Sequence, residues 1–126
     1  TSDPEKVFIR IKNGEASTAM AIGDLVSADT TADDGVTMRL TTAQGQEVTC
    51  VVNEAIATGK FGLCQVYGYH SAVKVNGTTF NIATGGRVAA STFTGKGDGT
   101  VTGHTIGRAL DASTVSGTIP MMLHLQ

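Results

Sequence analysis

The strongest candidate for ligand chemistry in this chain is Gly95-Lys96, which invites interpretation as a phosphate-binding loop. In such a loop, backbone N–H groups and a lysine ammonium hold the phosphate oxygens. The motif requires a glycine five positions before the Gly-Lys pair and a serine or threonine directly after it. Position 90 is alanine and position 97 is glycine, so both requirements fail. We therefore predict no nucleotide site and expect the Gly95–Gly99 segment to be a flexible, exposed loop tip.

The acidic segment Asp29–Gly35 resembles a calcium-binding loop only in part. An EF-hand has glycine at its sixth position and glutamate at its twelfth. Those two positions are Asp34 and Leu40 in this chain. We therefore predict a hairpin turn here, whose clustered carboxylates would bind a cation only adventitiously.

Metal-dependent and nucleophilic chemistry have equally little support. The histidines at 70, 104 and 124 are far apart, so the local pairs that build many zinc sites are absent. Thr1 would need a buried, rigid strand to act as an N-terminal nucleophile, and it begins a polar arm instead. No Gly-x-Ser-x-Gly elbow occurs either. The sequence thus predicts a protein that is not an enzyme and uses no metal or cofactor.

The composition favours a surface used for assembly. Charged residues make up 16% of the chain, against about 25% in an average soluble domain. Glycine, with 16 residues, and abundant threonine take their place. A surface poor in charge costs less to desolvate, which suits packing against neighbours, although small β proteins are often rich in glycine and threonine for their turns and strands.

Charge and hydropathy argue against two classes of partner. The nine basic and eleven acidic residues leave a net charge of −2, and the basic residues form no cluster. Nucleic-acid binding normally needs a basic face that displaces counterions from phosphates, so we expect no nucleic acid partner. No apolar run approaches the ~18 residues of a membrane helix, so we expect no membrane partner.

The two cysteines are predicted to point into the core as small hydrophobic residues. Cys50 shares its phase with Val48 and Val52, and Cys64 shares its phase with Val66. Two cysteines permit one disulfide without requiring it. We favour a reducing compartment, and the redox state of Cys50 and Cys64 stays open.

Alternating apolar residues and turn signals about every ten residues predict an all-β fold. We expect a small β-barrel or β-sandwich of short antiparallel strands with Gly-rich turns and at most one or two short helical turns. The segment Val7–Lys12 predicts the first strand, and a polar arm precedes it. Residues 1–12 are therefore interpreted as an N-terminal arm and first strand, and residues 13–126 as a single β domain.

Three local elements follow from turn and strand signals. Asn76-Gly77, flanked by alternating apolar residues, predicts a hairpin over Ala72–Ile82. Glu54–Ala57 is expected to form a short helical turn. The last strand should turn Ile119, Met121, Leu123 and Leu125 to one face. Pro120 cannot donate to a ladder, so this strand should start late or run along an edge.

Several short motifs stand in a defined order from Asn53 onward. They are Glu54–Gly59, Gly62 with Leu63–Tyr69, Gly86–Ala89, Ile106–Leu110 and a terminal apolar strand after a Gly-containing spacer. In this order the motifs resemble those of the bacteriophage capsid decoration proteins, also called head cement proteins. The N-terminal half adds only Gly23–Val26, which looks like the opening strand of that family.

The resemblance implies a non-catalytic virion structural protein. Such a protein binds the outer surface of a phage capsid, bridges neighbouring major capsid subunits and stabilises the head against internal DNA pressure. The implied partners are the major capsid protein and further copies of the chain, as a homotrimer at threefold or pseudo-threefold positions. The implied location is the capsid exterior of the virion, after synthesis in the host cytoplasm.

The expected interface lies on the first strand, on two tyrosines and on the Gly-rich tip. Its residues are Val7, Phe8, Ile9, Arg10, Tyr67, Tyr69, Lys96 and Asp98. Residues 1–12 would contact the capsid or a neighbouring copy, for example by adding a strand to an exposed edge, unless they are simply a frayed terminus. The alternative function is a receptor- or glycan-binding β module of a phage or bacterial surface, with the tyrosines and the tip as contacts.

Overall fold

The computed structural model describes residues 5–32, 34–99 and 104–125. These residues form nine β-strands and no helix, which confirms the predicted all-β fold. No helix in this part of the chain is long and apolar enough to cross a membrane. The strands are β1 (Val7–Asn13), β2 (Leu25–Ala28), β3 (Thr37–Leu40), β4 (Cys50–Val52), β5 (Phe61–Asn76), β6 (Arg87–Ala90), β7 (Gly97–Asp98), β8 (Thr105–Ala109) and β9 (Ser116–His124).

Five strands close a barrel in the N-terminal half of the chain. Their order is β1-β3-β2-β4-β5, and an antiparallel pairing of β1 with β5 closes the ring. The pairing of β1 with β3 is parallel, at Lys12 with Thr37 and Asn13 with Met38, and the other pairings are antiparallel. The structure thus resolves the choice between barrel and sandwich, and it adds a parallel pair that the sequence did not predict.

The remaining pairings close a second circuit that repeats the topology of this barrel. The order is β5-β7-β6-β8-β9, and an antiparallel pairing of β5 with β9 closes it. The parallel pair β5–β7 corresponds to β1–β3, and the other pairings are again antiparallel. Strand β5 is 16 residues long and belongs to both circuits. Its first half is the last strand of the barrel, and its second half is the first strand of the second circuit.

Matching hydrogen bonds show that the two circuits are equivalent in detail. Gly23 N donates to Val52 O at 2.9 Å, just before β2. Gly85 N donates in the same way to Ala109 O at 2.7 Å, just before β6. Both glycines have a positive φ, which a glycine adopts without steric cost. The turns into β2 and β6 are therefore two copies of one local structure.

One hydrophobic core runs through both circuits. It includes Ile11, Leu25 and Val52 from the barrel and Val88 and Ile106 from the second circuit, all fully buried or nearly so. Apolar residues of β9 and the residue after it also face this core, as predicted: Ile119, Met121, Leu123 and Leu125. Alternation along these strands is what places one face inside and the other outside.

Cys50 on β4 and Cys64 on β5 form a disulfide inside this core. Both residues are fully buried, as the sequence predicted, and the disulfide is the alternative that the sequence left open. The antiparallel register pairs Val52 with Cys64, so Cys50 lies diagonally across the two strands from its partner. The Cα atoms are 5.7 Å apart, within the range in which two cysteines can be bridged.

The predicted hairpin over Ala72–Ile82 is not formed. Strand β5 continues to Asn76 and pairs there with β9, with Val73 opposite Ile119. The Asn76 Oδ1 atom accepts hydrogen bonds from Thr78 N and Oγ1, so the asparagine ends the strand in a local turn. Val73 and Val75, which the hairpin would have paired locally, are instead buried in the long-range pairing with β9.

Strand β9 is central, although Pro120 predicted a late start or an edge position. It pairs with β5 on one side and with β8 on the other. The register with β5 passes from His70 opposite Met121 to Val73 opposite Ile119, so two residues of β5 face Pro120. The ladder is already interrupted at this bulge, and the missing N–H of proline therefore costs no regular bond.

The predicted helical turn at Glu54–Ala57 is also absent. Ile56 instead forms an isolated antiparallel bridge with Met20, with reciprocal N–H to carbonyl bonds of 2.9 Å. Both side chains are buried in the core. Tertiary burial of Ile56 thus replaces the local helical bonds that the segment could have formed.

Candidate interaction surface

The acidic segment around Asp34 forms a turn. The Asp34 carboxylate accepts its hydrogen bonds from residues of this same turn. Asp34 Oδ1 accepts hydrogen bonds from Val36 N at 3.0 Å and Thr37 N at 2.8 Å, and Oδ2 accepts one from Thr37 Oγ1 at 2.7 Å. These bonds, above all the one from the Thr37 hydroxyl, lower the pKa of Asp34 to about 2. Among the described residues, no group of three or more His, Cys, Asp or Glu side chains could hold a metal ion.

The Gly95–Gly99 segment is not an exposed tip where the structure describes it. Gly97 and Asp98 form β7, between β5 and β6, and Asp98 is 1% exposed. Its Oδ1 atom accepts a hydrogen bond from Gln44 Nε2 at 3.1 Å. Lys96 is half-buried, and its Nζ donates to Ser116 Oγ at 2.9 Å. Asp98 is thus built into the sheet, and its role in an interface stays a prediction.

The two tyrosines of β5 are half-buried, and each contacts a neighbour. The rings of Tyr67 and His124 are 5.4 Å apart at an interplanar angle of 60°. The ammonium of Lys6 lies 5.8 Å from the centre of the Tyr69 ring. A stacking platform for sugars or bases needs open ring faces. Both tyrosines point to the same side of β5, but their rings are partly covered. They therefore do not form an open stacking platform.

Strand β1 divides the four predicted contact residues between the core and the surface. Val7 and Ile9 are half-buried and pack against the core. Phe8 and Arg10 point outward and are exposed. The predicted site therefore splits into separate places, since Lys96 lies at the far end of β5 from β1.

An apolar and cationic surface is formed where β1 and β5 pair. Arg10 lies opposite Leu63 and Lys12 lies opposite Phe61. Phe8, two residues before Arg10, points to the same side of the sheet. Phe61 is 50% exposed, Leu63 43% and Phe8 38%. Residues directly opposite in an antiparallel pair point to the same side of the sheet. These five residues, Phe8, Arg10, Lys12, Phe61 and Leu63, are called the β1–β5 face below.

Arg10 is positioned by an aromatic ring and keeps its hydrogen-bonding groups available. Its guanidinium carbon lies 4.7 Å from the centre of the Phe61 ring, within the range of a cation–π contact. It forms no hydrogen bond or ion pair with any of residues 5–32, 34–99 and 104–125. A planar guanidinium held in this way can still donate to a carboxylate of another molecule.

Phe8 and Arg10 are among the contact residues predicted from the sequence, whereas Phe61 and Leu63 are not. The alternation of Phe61, Gly62 and Leu63 was the available signal, because it turns both large side chains to one side. Nothing in the sequence showed that this side faces solvent. That depends on the pairing with β1, which lies about fifty residues earlier in the chain.

Comparisons with known proteins show a likeness of fold. No protein-family model matches the chain, and no curated protein matches its sequence. The family that the motif order resembles is therefore not confirmed. The chain is similar to a solved structure described as the crystal structure of head fiber gp8.5 N base in bacteriophage phi29. The likeness has a TM-score of 0.62, covers 94% of each chain and comes with 13% sequence identity, so it shows a shared fold.

Proposed function

We propose that this protein is a non-catalytic structural protein of a bacteriophage virion, carried on the exterior of the head. The observation that supports the proposal is the fold shared with the base of the phi29 head fiber over 94% of both chains. A shared fold alone does not establish a function. Here the likeness extends over nearly all of both chains, so it concerns the whole domain rather than one local motif.

The proposal extends to two partners. The protein would dock on the major capsid protein and bridge neighbouring subunits, and three copies would associate at threefold or pseudo-threefold positions. Many copies on one shell add their modest contributions as avidity, because each further attachment is held near its site by the lattice. Bridging of this kind would stabilise the head against the pressure of packaged DNA.

The test is co-sedimentation of the purified protein with heads of its own phage from which it has been removed. Saturable binding to the heads is the expected result, together with a trimer mass by light scattering across a dilution series. Binding that never saturates, or protein that stays in the supernatant at every concentration, would refute the proposal. A strict monomer in solution together with saturable binding would refute the proposed trimer but support attachment to the head.

The observations favour this function over a receptor- or glycan-binding module. That alternative depends on the tyrosines of β5 and on the Gly95–Gly99 tip. Tyr67 and Tyr69 are half-buried, and Asp98 is buried in β7. Selective binding on a glycan array would reverse the preference.

A further inference from the structure

The repeated topology provides an internal comparison for the β1–β5 face. Asn53 N donates to Leu63 O at 3.1 Å in the barrel, and Leu110 N donates to Pro120 O at 2.9 Å in the second circuit. Leu63 thus corresponds to Pro120, and two residues earlier Phe61 corresponds to Thr118. The same strand position carries a large exposed aromatic residue in one circuit and a small polar residue in the other.

The fold therefore does not require the apolar residues of the β1–β5 face. Thr118 is exposed and Pro120 half-buried in β9, and the second circuit closes with them. Leaving Phe61 and Leu63 about half exposed forfeits the stabilisation that burying them would provide. Several large apolar side chains gathered on one exposed face are characteristic of a binding surface.

The charge on this face indicates the chemistry of the partner. Arg10 and Lys12 lie on it, and the exposed Lys60 directly precedes Phe61. The carboxylate of Glu54 lies beside this face, where its Oε2 accepts the Leu63 N–H at 2.8 Å. The face therefore combines exposed apolar side chains with the cationic side chains of Arg10 and Lys12.

We infer that the β1–β5 face is the surface that docks on the shell, and that its partner is an acidic protein surface with apolar side chains among the carboxylates. This inference rests on the proposed function and adds to it the docking face and the partner's charge. A partner carboxylate can receive the N–H groups of Arg10 while its apolar neighbours cover Phe61. Charge complementarity of this kind steers association and excludes partners of the wrong charge.

A second copy of the chain fits this face less well. In a two-fold contact the same patch appears on both sides of the interface. Such a contact centred on this face would bring Arg10 and Lys12 of one copy close to the same cations of the other. Like charges brought together in this way oppose association.

Two variants with matched controls test the inference in the co-sedimentation assay with protein-free heads. The charge reversal R10E with K12E is compared with R87E with R108E, which changes the net charge equally on the cross-strand arginine pair of β6 and β8. The truncation F61T is compared with F80T, which removes another exposed phenylalanine. Thermal unfolding verifies that each variant folds. F61T introduces the residue type that the second circuit carries at the corresponding position.

We expect R10E with K12E to weaken head binding by at least about tenfold and F61T to weaken it measurably, with both controls near wild type. Rising salt should weaken wild-type binding more than binding of the charge-reversed variant. If the wild type binds heads and the β1–β5 variants bind equally well, the inference is wrong and the proposed function stands. If the variants change the oligomer mass and not head binding, the face joins copies and the inference is also wrong. A wild type that does not bind heads refutes both.

Discussion

Lys74 Nζ lies 3.0 Å from Asp24 Oδ1, and this ion pair joins the two circuits of strands. Asp24 precedes β2 in the barrel, and Lys74 belongs to the half of β5 that pairs with β9. Beside the ion pair, Lys74 N donates to Gly23 O at 3.0 Å. The Asp24 carboxylate also accepts the Ala21 N–H at 2.8 Å through Oδ2. One nearly buried carboxylate thus holds its own turn and contacts the neighbouring circuit.

Replacing Lys74 by methionine should lower the free energy of unfolding by about 1–3 kcal/mol, because the Asp24 carboxylate then loses its counter-charge in a poorly hydrated place. Only 9% of the Asp24 side chain is exposed. The matched control is Arg39→Met, which removes the partner of Glu15 at 3.4 Å. Arg39 is 52% exposed, so its loss should cost no more than about 0.5 kcal/mol. Equal losses in urea unfolding would contradict the role given to Asp24.

Removing the disulfide by C50A together with C64A should lower the free energy of unfolding by about 2–4 kcal/mol. The bond closes a loop between residues 14 apart in sequence, and its loss returns conformational freedom to the unfolded chain. A reductant should destabilise the wild type in urea and leave the double variant unchanged. Free thiols detected in the unfolded, unreduced protein would show that the bond is not formed.

His70 is held as a neutral imidazole at the bulge of β5. Its Nδ1 accepts the Ala72 N–H at 3.1 Å, so the proton lies on Nε2, which donates to Val52 O at 3.1 Å. Burial lowers the pKa of His70 below 6.5, with a smaller contribution from the charge of Lys6, while the bond to Val52 O acts in the opposite direction. The charged ring would also lose the bond from Ala72.

Acidification should therefore destabilise the protein through His70. Between its folded pKa and 6.5 the unfolded state binds more protons, so this contribution is fully present above pH 6.5 and is lost as the pH falls toward the folded pKa. Urea unfolding at several pH values should show this slope in the wild type and in H104Q, and a smaller slope in H70Q. An NMR titration in which His70 titrates at or above 6.5 would disprove the assignment.

Gly68 is required where residues 5 and 6 cross β5. Its φ is +98°, and a Cβ atom at this position would overlap the carbonyl oxygen of Glu5. Gly68→Ala should cost about 1–3 kcal/mol more than Gly59→Ala because backbone atoms must move apart. Gly59 also has a positive φ, of +74°, but open space around it, so it isolates the steric part of the loss. Equal thermal stability of the two variants would contradict this contact.

The sequence by itself determined the class of the fold and the direction of many side chains. Alternation is a local property, so it correctly indicated that Met121 and Leu123 face inward. Along β1 it left open whether Phe8 or Ile11 points inward, and the structure buries Ile11. Turn residues likewise marked the ends of several strands. These features depend only on neighbouring residues in the chain, so they can be predicted without knowing which strands pair.

The choice of strand partners was decided by tertiary structure. Asn76-Gly77 has the local signals of a hairpin, yet β5 pairs with the distant β9 as far as Asn76. The similarity between Gly23–Val26 and Gly86–Ala89 is too weak to indicate a repeat. The matching hydrogen bonds align Gly23 with Gly85, one residue before the second motif, and they show that the turns before β2 and β6 are equivalent.

The disulfide and the β1–β5 face depend on the same long-range pairings. Cys50 and Cys64 share no local signal of bonding and meet because β4 lies beside β5. Phe61 and Arg10 become one surface because β1 closes the barrel against β5. The free energy gained by burying one face of a sheet depends on contacts between residues that are far apart in the chain. Only the folded structure can therefore show which strands bury one another and which side chains remain outside.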